Sequence, residues 1–194
     1  MTRHAEHPIL PMFLERHSPR AMSGAPLEAS TLRSLLEAAR WAPSAANSQP
    51  WRFAYGLAHT ASFDRLLALL APGNQVWCQR AGALLVGFAK VVNDKGERVP
   101  TAPLDLGAAW MSLALQGQSM GLVIHGMAGF DHARAAEALG ATSELEPLLM
   151  IAIGHPGEVE DLPEPLRPRE APNGRHPQAE WAFEGTLPAE PSAR

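Results

Sequence analysis

This sequence predicts a single domain that mixes α-helices with short buried strands, on three observations. Apolar residues recur at helical spacing in several segments, as at Leu32, Leu35, Leu36 and Ala39. Two short continuous apolar runs, AGALLVGFA at 81–89 and LLMIAIG at 148–154, have the length of fully buried strands. The 194 residues suffice for one sizeable core, whereas two domains would leave each half small.

Taken in order, Ile9, Leu10, Phe13 and Leu14 form a helical stripe that stops at RHSPR, where Pro19 biases Ser18 toward extended backbone. A second stripe from Leu27 to Ala39 ends before Pro43. Trp51, Phe53, Tyr55 and Leu57 alternate as in a strand. Thr60 is placed to cap a helix carrying Phe63, Leu66, Leu67 and Leu70, which APGN at 71–74 stops. After the strand at 81–89 and a polar loop, residues 104–120 are apolar nearly all round and end at Gly121, the pattern of a central helix with a glycine cap. LVIHG is a short strand, and Asp131 caps a short helix that closes at Gly140. Beyond the strand at 148–154 the chain is proline-dense as far as Pro188 and Pro191, which forbids regular helix or central strand. In this arm, 155–194, AEWAFEG still alternates Trp181 and Phe183 with polar neighbours and is expected to pair as a strand. An arm without a core of its own that keeps buried-type aromatics tends to wrap another surface, such as a second subunit.

A net charge of −4 with scattered basic residues provides no field for nucleic acid. Cys78 is the single cysteine, so the chain can form no internal disulfide and no thiolate zinc cluster; a reducing, cytoplasmic setting fits. No run approaches the roughly 20 apolar residues of a membrane helix, and the chain is expected to be soluble. The histidines are dispersed, so no metal site is expected. Signatures of the dinucleotide fold, of P-loop enzymes, of zincins and of α/β-hydrolases are all missing.

What stands out is a set of polar loops at element ends. RHSPR puts Arg16, Ser18 and Arg20 two apart on one extended segment, so their side chains share a face, with His17 between them. Two guanidinium groups and a hydroxyl suit a phosphate with a second anionic site beside it, although the same loop also suits solvated surface. PSAANSQPW offers Ser44, Asn47 and Gln49 as hydrogen-bonding groups, while Ala45 and Ala46 keep the backbone low enough for a ring or another chain to approach. Asn74 in PGN, the glycines of HGMAGFD and Arg175 in NGRHP each fit a turn or a solvated arm as well as a ligand contact.

Together and in this order, ERHSPRAMSG, LLEAARWAPSAANSQPWRF, GNQVW, AGALLVGFA, DLGAAWMSLALQGQSMGLVIHGMAGFD, LLMIAIGHPG and APNGRHPQAEWAFEG resemble the nitroreductase family of FMN-dependent NAD(P)H oxidoreductases. The basic loop and the P-S-x-x-N-x-Q-P-W block are the specific parts; the apolar strands would match many proteins.

The resemblance implies an α+β fold, with a central, mostly antiparallel sheet flanked by helices, in an intertwined homodimer whose C-terminal arm is exchanged and whose interface holds two FMN molecules. It implies that Arg16, Ser18 and Arg175 hold the FMN phosphate and that His17 contributes through backbone and packing. Arg20 would face the flavin N1 and C2 carbonyl, and Asn74 the pyrimidine edge. Backbone at Gly126, Ala128 and Gly129 would cover the ring near N5, and Pro43, Ser44, Ala45 and Asn47 would come from the second subunit. The implied activity is ping-pong transfer of hydride from NADH or NADPH through flavin N5 to a nitroaromatic, a quinone or a similar acceptor, with no side chain as catalytic group. A flavin-binding dimer without reductase activity (a flavin store or regulator) and specialised flavin chemistry such as dehalogenation are the alternatives. This chain departs from the family pattern at three positions: Ala128 replaces a glutamate, Asn173 a lysine and Trp77 another basic residue. Weaker phosphate and N1 contacts are expected from the last two.

Overall fold

The computed structural model describes residues 3–188; the final part of the predicted arm, with Pro191, lies outside them. The first helix, α1 (Pro11–Glu15), is little more than one turn, with Pro11 in its first turn and no buried residue. The apolar stripe predicts a longer helix. Pro8 and Pro11 confine helical geometry to the residues after them, because a proline ring clashes with a preceding helical turn.

Helix α2 (Ala29–Arg40) buries Leu32, Leu35 and Ala39 and ends at Trp41, two residues before Pro43. Strand β1 (Trp51–Leu57) comes next, and Thr60 then caps α3 (Ala61–Leu67) by accepting a hydrogen bond from Phe63 N. APGN does more than end α3: Pro72 opens a further helix, α4 (Pro72–Cys78), which places Asn74 in a first helical turn. Proline suits that position because the first-turn N–H groups have no intrahelical partner.

Strand β2 (Ala83–Lys90) is buried over all but its last residue. Helix α5 (Ala102–Ser119) runs through the middle of the molecule, and Gly121 beyond its end adopts φ +70°, the left-handed geometry that lets the chain turn into the next strand. Strand β3 (Val123–Met127), helix α6 (His132–Ala138) and strand β4 (Leu145–Gly154) complete the regular elements, with Asp131 capping α6 as expected. Gly126, the last residue of the expected strand LVIHG, lies inside β3, which pairs one residue further, to Met127 against Met150.

The sheet has the order β1-β2-β4-β3, and every pair is antiparallel. The α+β class is thus observed. The two central strands are covered on both faces, which is why their sequences read as unbroken apolar runs. From β2, Leu84, Val86 and Phe88 point into one core with Phe63, Leu66 and Trp77, while Ala83, Leu85 and Ala89 point into the other with Leu35, Leu106 and Leu113. The site is positioned by this sandwich: α2 and α5 on one side, α3, α4 and α6 on the other.

Beyond β4, the helical elements among the described residues are short 3₁₀ turns at Val159–Asp161, Glu164–Arg169 and Gln178–Glu180. The strand expected in AEWAFEG does not form within the chain. Pro177 opens a 3₁₀ turn there instead, and Trp181 and Phe183 remain 62% and 41% exposed. Alternation alone cannot make a strand where no sheet edge of the same chain is in reach.

Candidate functional site

The loop that leaves α1 and the proline-rich arm meet, although some 150 residues separate them. Glu170 joins them: its carboxylate accepts hydrogen bonds from Arg20 N at 2.7 Å and Ala21 N at 3.0 Å, and pairs with the Arg20 guanidinium at 3.5 Å. Between loop and arm lies a cavity of about 520 Å³ whose wall includes Arg16, His17, Ser18, Arg20 and Arg175. All five are candidates by sequence, and the fold brings them together within one chain.

Arg16 terminates α1 and turns its guanidinium toward Ser18 Oγ, 3.4 Å away. His17 Nδ1 lies 3.2 Å from Glu15 O, so its ring stays beside its own loop. Arg175 Nη1 donates to Gly174 O at 2.8 Å and to Asn173 Oδ1 at 3.1 Å. Burial, and after it the like charges of Arg175 and Arg3, lowers the Arg16 pKa from its usual value. Among the described residues none of Arg3, Arg16 and Arg175 pairs with an acid. The half-buried Arg3 and Arg16 and the exposed Arg175, unpaired with an acid and beside a hydroxyl donor, are a set of donors matched to a dianionic phosphate.

Several residues of this cavity escape a reading of the sequence. Arg3 enters from the N-terminus, where a chain ordinarily frays. Asn173 engages both Arg3 and Arg175. His125 of β3 also lines the cavity; its Nδ1 lies 2.9 Å from Pro19 O, an atom that can only accept. Burial lowers the His125 pKa, and the nearby Arg20 charge acts in the same direction. No sequence signal marks Glu170, since an acid amid prolines looks like solvated arm.

Trp77 does not reach the cavity. It is 1% exposed and packs its ring on His125, centroids 4.8 Å apart, so the position where the family resemblance implies a basic residue is closed core here. Cys78 beside it is fully buried, and that burial raises its thiol pKa, which leaves it unreactive at neutral pH.

The other predicted residues lie outside this cavity, at two places. Asn74 Nδ2 donates to Gly129 O at 3.0 Å, and Ala71 N donates to the same oxygen at 3.0 Å, tying the start of α4 to the loop after β3. Ala128 and Gly129 are exposed there. Gly126 faces α5, where a Cβ would fall 2.9 Å from Trp110 Cζ2.

Pro43, Ser44, Ala45 and Asn47 form the second place, the loop between α2 and β1. Ala45 N donates to both oxygens of the buried Asp105, at 3.3 Å each, and Gln49 N donates to Ser44 Oγ at 3.0 Å. Ala46, Asn47 and Gln49 are held at φ +50°, +54° and +49°, three left-handed positions without a glycine, with Ser48 between them right-handed. Such backbone costs of order 1–3 kcal/mol per residue and persists where its surroundings hold it; it is found most often at ligand sites. The loop's outer surface of small side chains is exposed. Among the described residues, no group of His, Cys, Asp and Glu could hold a metal ion.

This chain is similar to known proteins in sequence and in fold. The family model described as "Nitroreductase family" matches residues 14–56, the stretch from the basic loop through the left-handed loop to β1. A solved oxidoreductase described as containing FMN is 38% identical, with 97% of each chain covered and a TM-score of 0.93. A nitroreductase family protein from Clostridium difficile shares the fold at 19% identity and a TM-score of 0.71, over 93% of this chain and all of that one. An NADH dehydrogenase from Thermus thermophilus is 29% identical over 176 residues, 75% of this chain and 85% of its own. With these likenesses and this fold, the chain belongs to the nitroreductase family.

Proposed function

We propose that this chain is an FMN-dependent oxidoreductase that takes reducing equivalents from NADH or NADPH and passes them to a nitroaromatic, a quinone or a similar small acceptor. The observation that carries the reading is the meeting of Arg16, Ser18 and Arg175, from opposite ends of the chain, in one cavity where neither of these two arginines pairs with an acid among the described residues. The chemistry of these donors fits the phosphate of FMN. The described relatives support the same cofactor and donor: one contains FMN and another is named an NADH dehydrogenase.

Bound FMN supplies the hydride-accepting atom. The chain's own residues bind and orient. Arg16, Ser18 and Arg175 hold the phosphate. Arg20, kept in place by Glu170, puts a positive charge where the flavin pyrimidine would gain negative charge on reduction and so favours the reduced state. His17 shapes the loop. Asn74 would turn its amide oxygen, which has no hydrogen-bond partner among the described residues, to the pyrimidine edge while its nitrogen anchors Gly129, and the backbone of Gly126, packed on Trp110, and of the exposed Ala128 and Gly129 would cover the ring.

We assign Pro43, Ser44, Ala45 and Asn47 to the flavin held by a second copy, and read the protein as a homodimer. Three features support this. Helix α5 carries no charge other than the buried Asp105, yet exposes Leu104 at 74% and Met111 at 42%. Residues 171–188 are all exposed in the single chain, including Trp181 and Phe183. The left-handed loop presents its small residues outward. We read residues 1–194 as one domain whose arm, from 155, wraps the partner. Among the described residues no helix is long and apolar enough to cross a membrane, and the lone thiol is buried, which suits a cytoplasmic protein acting on small molecules.

Anaerobic mixing of the FMN-loaded protein with NADH or NADPH tests the activity. The flavin absorbance should bleach and return on addition of a quinone or nitrofuran. A flavin that neither nucleotide bleaches would instead favour a binding protein without reductase activity.

A further inference from the structure

Arg3 stands out because every family-implied contact leaves it unused. Its guanidinium makes four hydrogen bonds, and these join the end of α1 to the arm. Nη1 donates to Leu14 O at 2.8 Å and Arg16 O at 2.7 Å, at the end of α1. Nε donates to Asn173 O at 2.9 Å and Nη2 to Asn173 Oδ1 at 3.4 Å, in the arm. One N–H remains, and the residue lines the same cavity as Arg16 and Arg175.

The residues that Arg3 grips are the ones that aim the phosphate-binding cations: Arg16 through its own carbonyl, and Arg175 through the Asn173 side chain that both arginines share. The grip also adds a third guanidinium charge, with no acid beside it among the described residues. Without an anion that arrangement is strained electrostatically, since burial and mutual repulsion lower the pKa of both Arg3 and Arg16. A dianion in the cavity relieves it. A fork of donors is required to hold carbonyls on two segments at once, a geometry that a lysine ammonium does not reproduce.

We propose that Arg3 is a positioning residue for the phosphate site, clasping the α1 loop to the arm and adding a third guanidinium charge beside Arg16 and Arg175. This inference rests on the flavin reading above. It predicts selectivity for the phosphorylated flavin over riboflavin, which has the same ring and no phosphate.

The test compares FMN and riboflavin binding by flavin fluorescence for the wild type, Arg3→Ala and Arg3→Lys. Arg3→Ala should weaken FMN about tenfold or more while leaving riboflavin within about twofold, since only the charge-assisted phosphate grip is lost. Arg3→Lys, which keeps the charge and loses the fork, should fall between. Riboflavin binding serves as the check that each variant is folded. If Arg3→Ala binds FMN as the wild type does, or if it loses both ligands equally, the inference is overturned while the flavin reading stands. A wild type that binds neither flavin overturns both.

Discussion

Glu170 holds the backbone N–H of Arg20 at 2.7 Å from the far end of the chain, and this bond fixes how the basic loop meets the arm. The same carboxylate caps the buried Ala21 N–H. Glu170→Ala leaves two backbone donors and a guanidinium without their acceptor. We expect a loss of about 2–4 kcal/mol in urea denaturation, and about half that for Glu170→Gln, which retains an acceptor but not the charge.

Arg175 is exposed and, among the described residues, its side chain hydrogen-bonds only within its own loop, so in the absence of a ligand its removal should cost almost nothing in stability. Arg175→Ala should nevertheless weaken FMN by about 1.5–3 kcal/mol, roughly ten- to a hundredfold, as one charge-assisted phosphate contact disappears. Thermal unfolding measured with and without FMN separates the two effects.

At Gly126 the sheet and α5 approach so closely that a Cβ would meet Trp110 at 2.9 Å. Gly126→Ala must push that ring aside. A cost of about 1–3 kcal/mol is expected, read from the denaturation midpoint, because a rigid aromatic ring yields less readily than a flexible chain end.

His125 ties stability to pH. Its folded-state pKa lies below the ordinary 6.5, chiefly through burial, so the unfolded chain binds the proton more readily than the folded one. The neutral ring's contribution is complete above about pH 6.5 and declines as the pH falls from there toward the folded-state value. Unfolding curves between pH 8 and about pH 5 should show the wild type losing stability with a steeper slope than His125→Asn. Equal slopes would remove His125 as the cause.

Much of the fold was legible because its signals are local. Thr60 and Asp131 cap helices as expected, Gly121 ends α5, and the unbroken apolar runs became the two central strands. Proline was the main source of local error: it shortened α1, and at Pro72 it opened a helix where a stop alone was expected. The site was legible only in pieces. Arg16, Ser18 and Arg20 declare a common face by alternation, whereas Arg175 needed the family resemblance to acquire a role. Arg3, His125 and Glu170 were not legible, since what makes them part of the site is contact over more than 100 residues of sequence: with Asn173, Pro19 and Arg20 respectively. Trp181 and Phe183 carry a strand pattern that the single chain leaves unpaired, and the arm exchange we propose would give it a partner's sheet edge.

The most direct measurement is a titration of the flavin-free protein with FMN, monitored by flavin fluorescence, with Arg16→Ala measured alongside. Saturation at one FMN per chain, with binding weakened about tenfold or more in the variant, is the predicted result. Free-flavin emission that persists unchanged with the wild type in excess, or equal affinity in the two proteins, would contradict the phosphate site on which the functional reading rests.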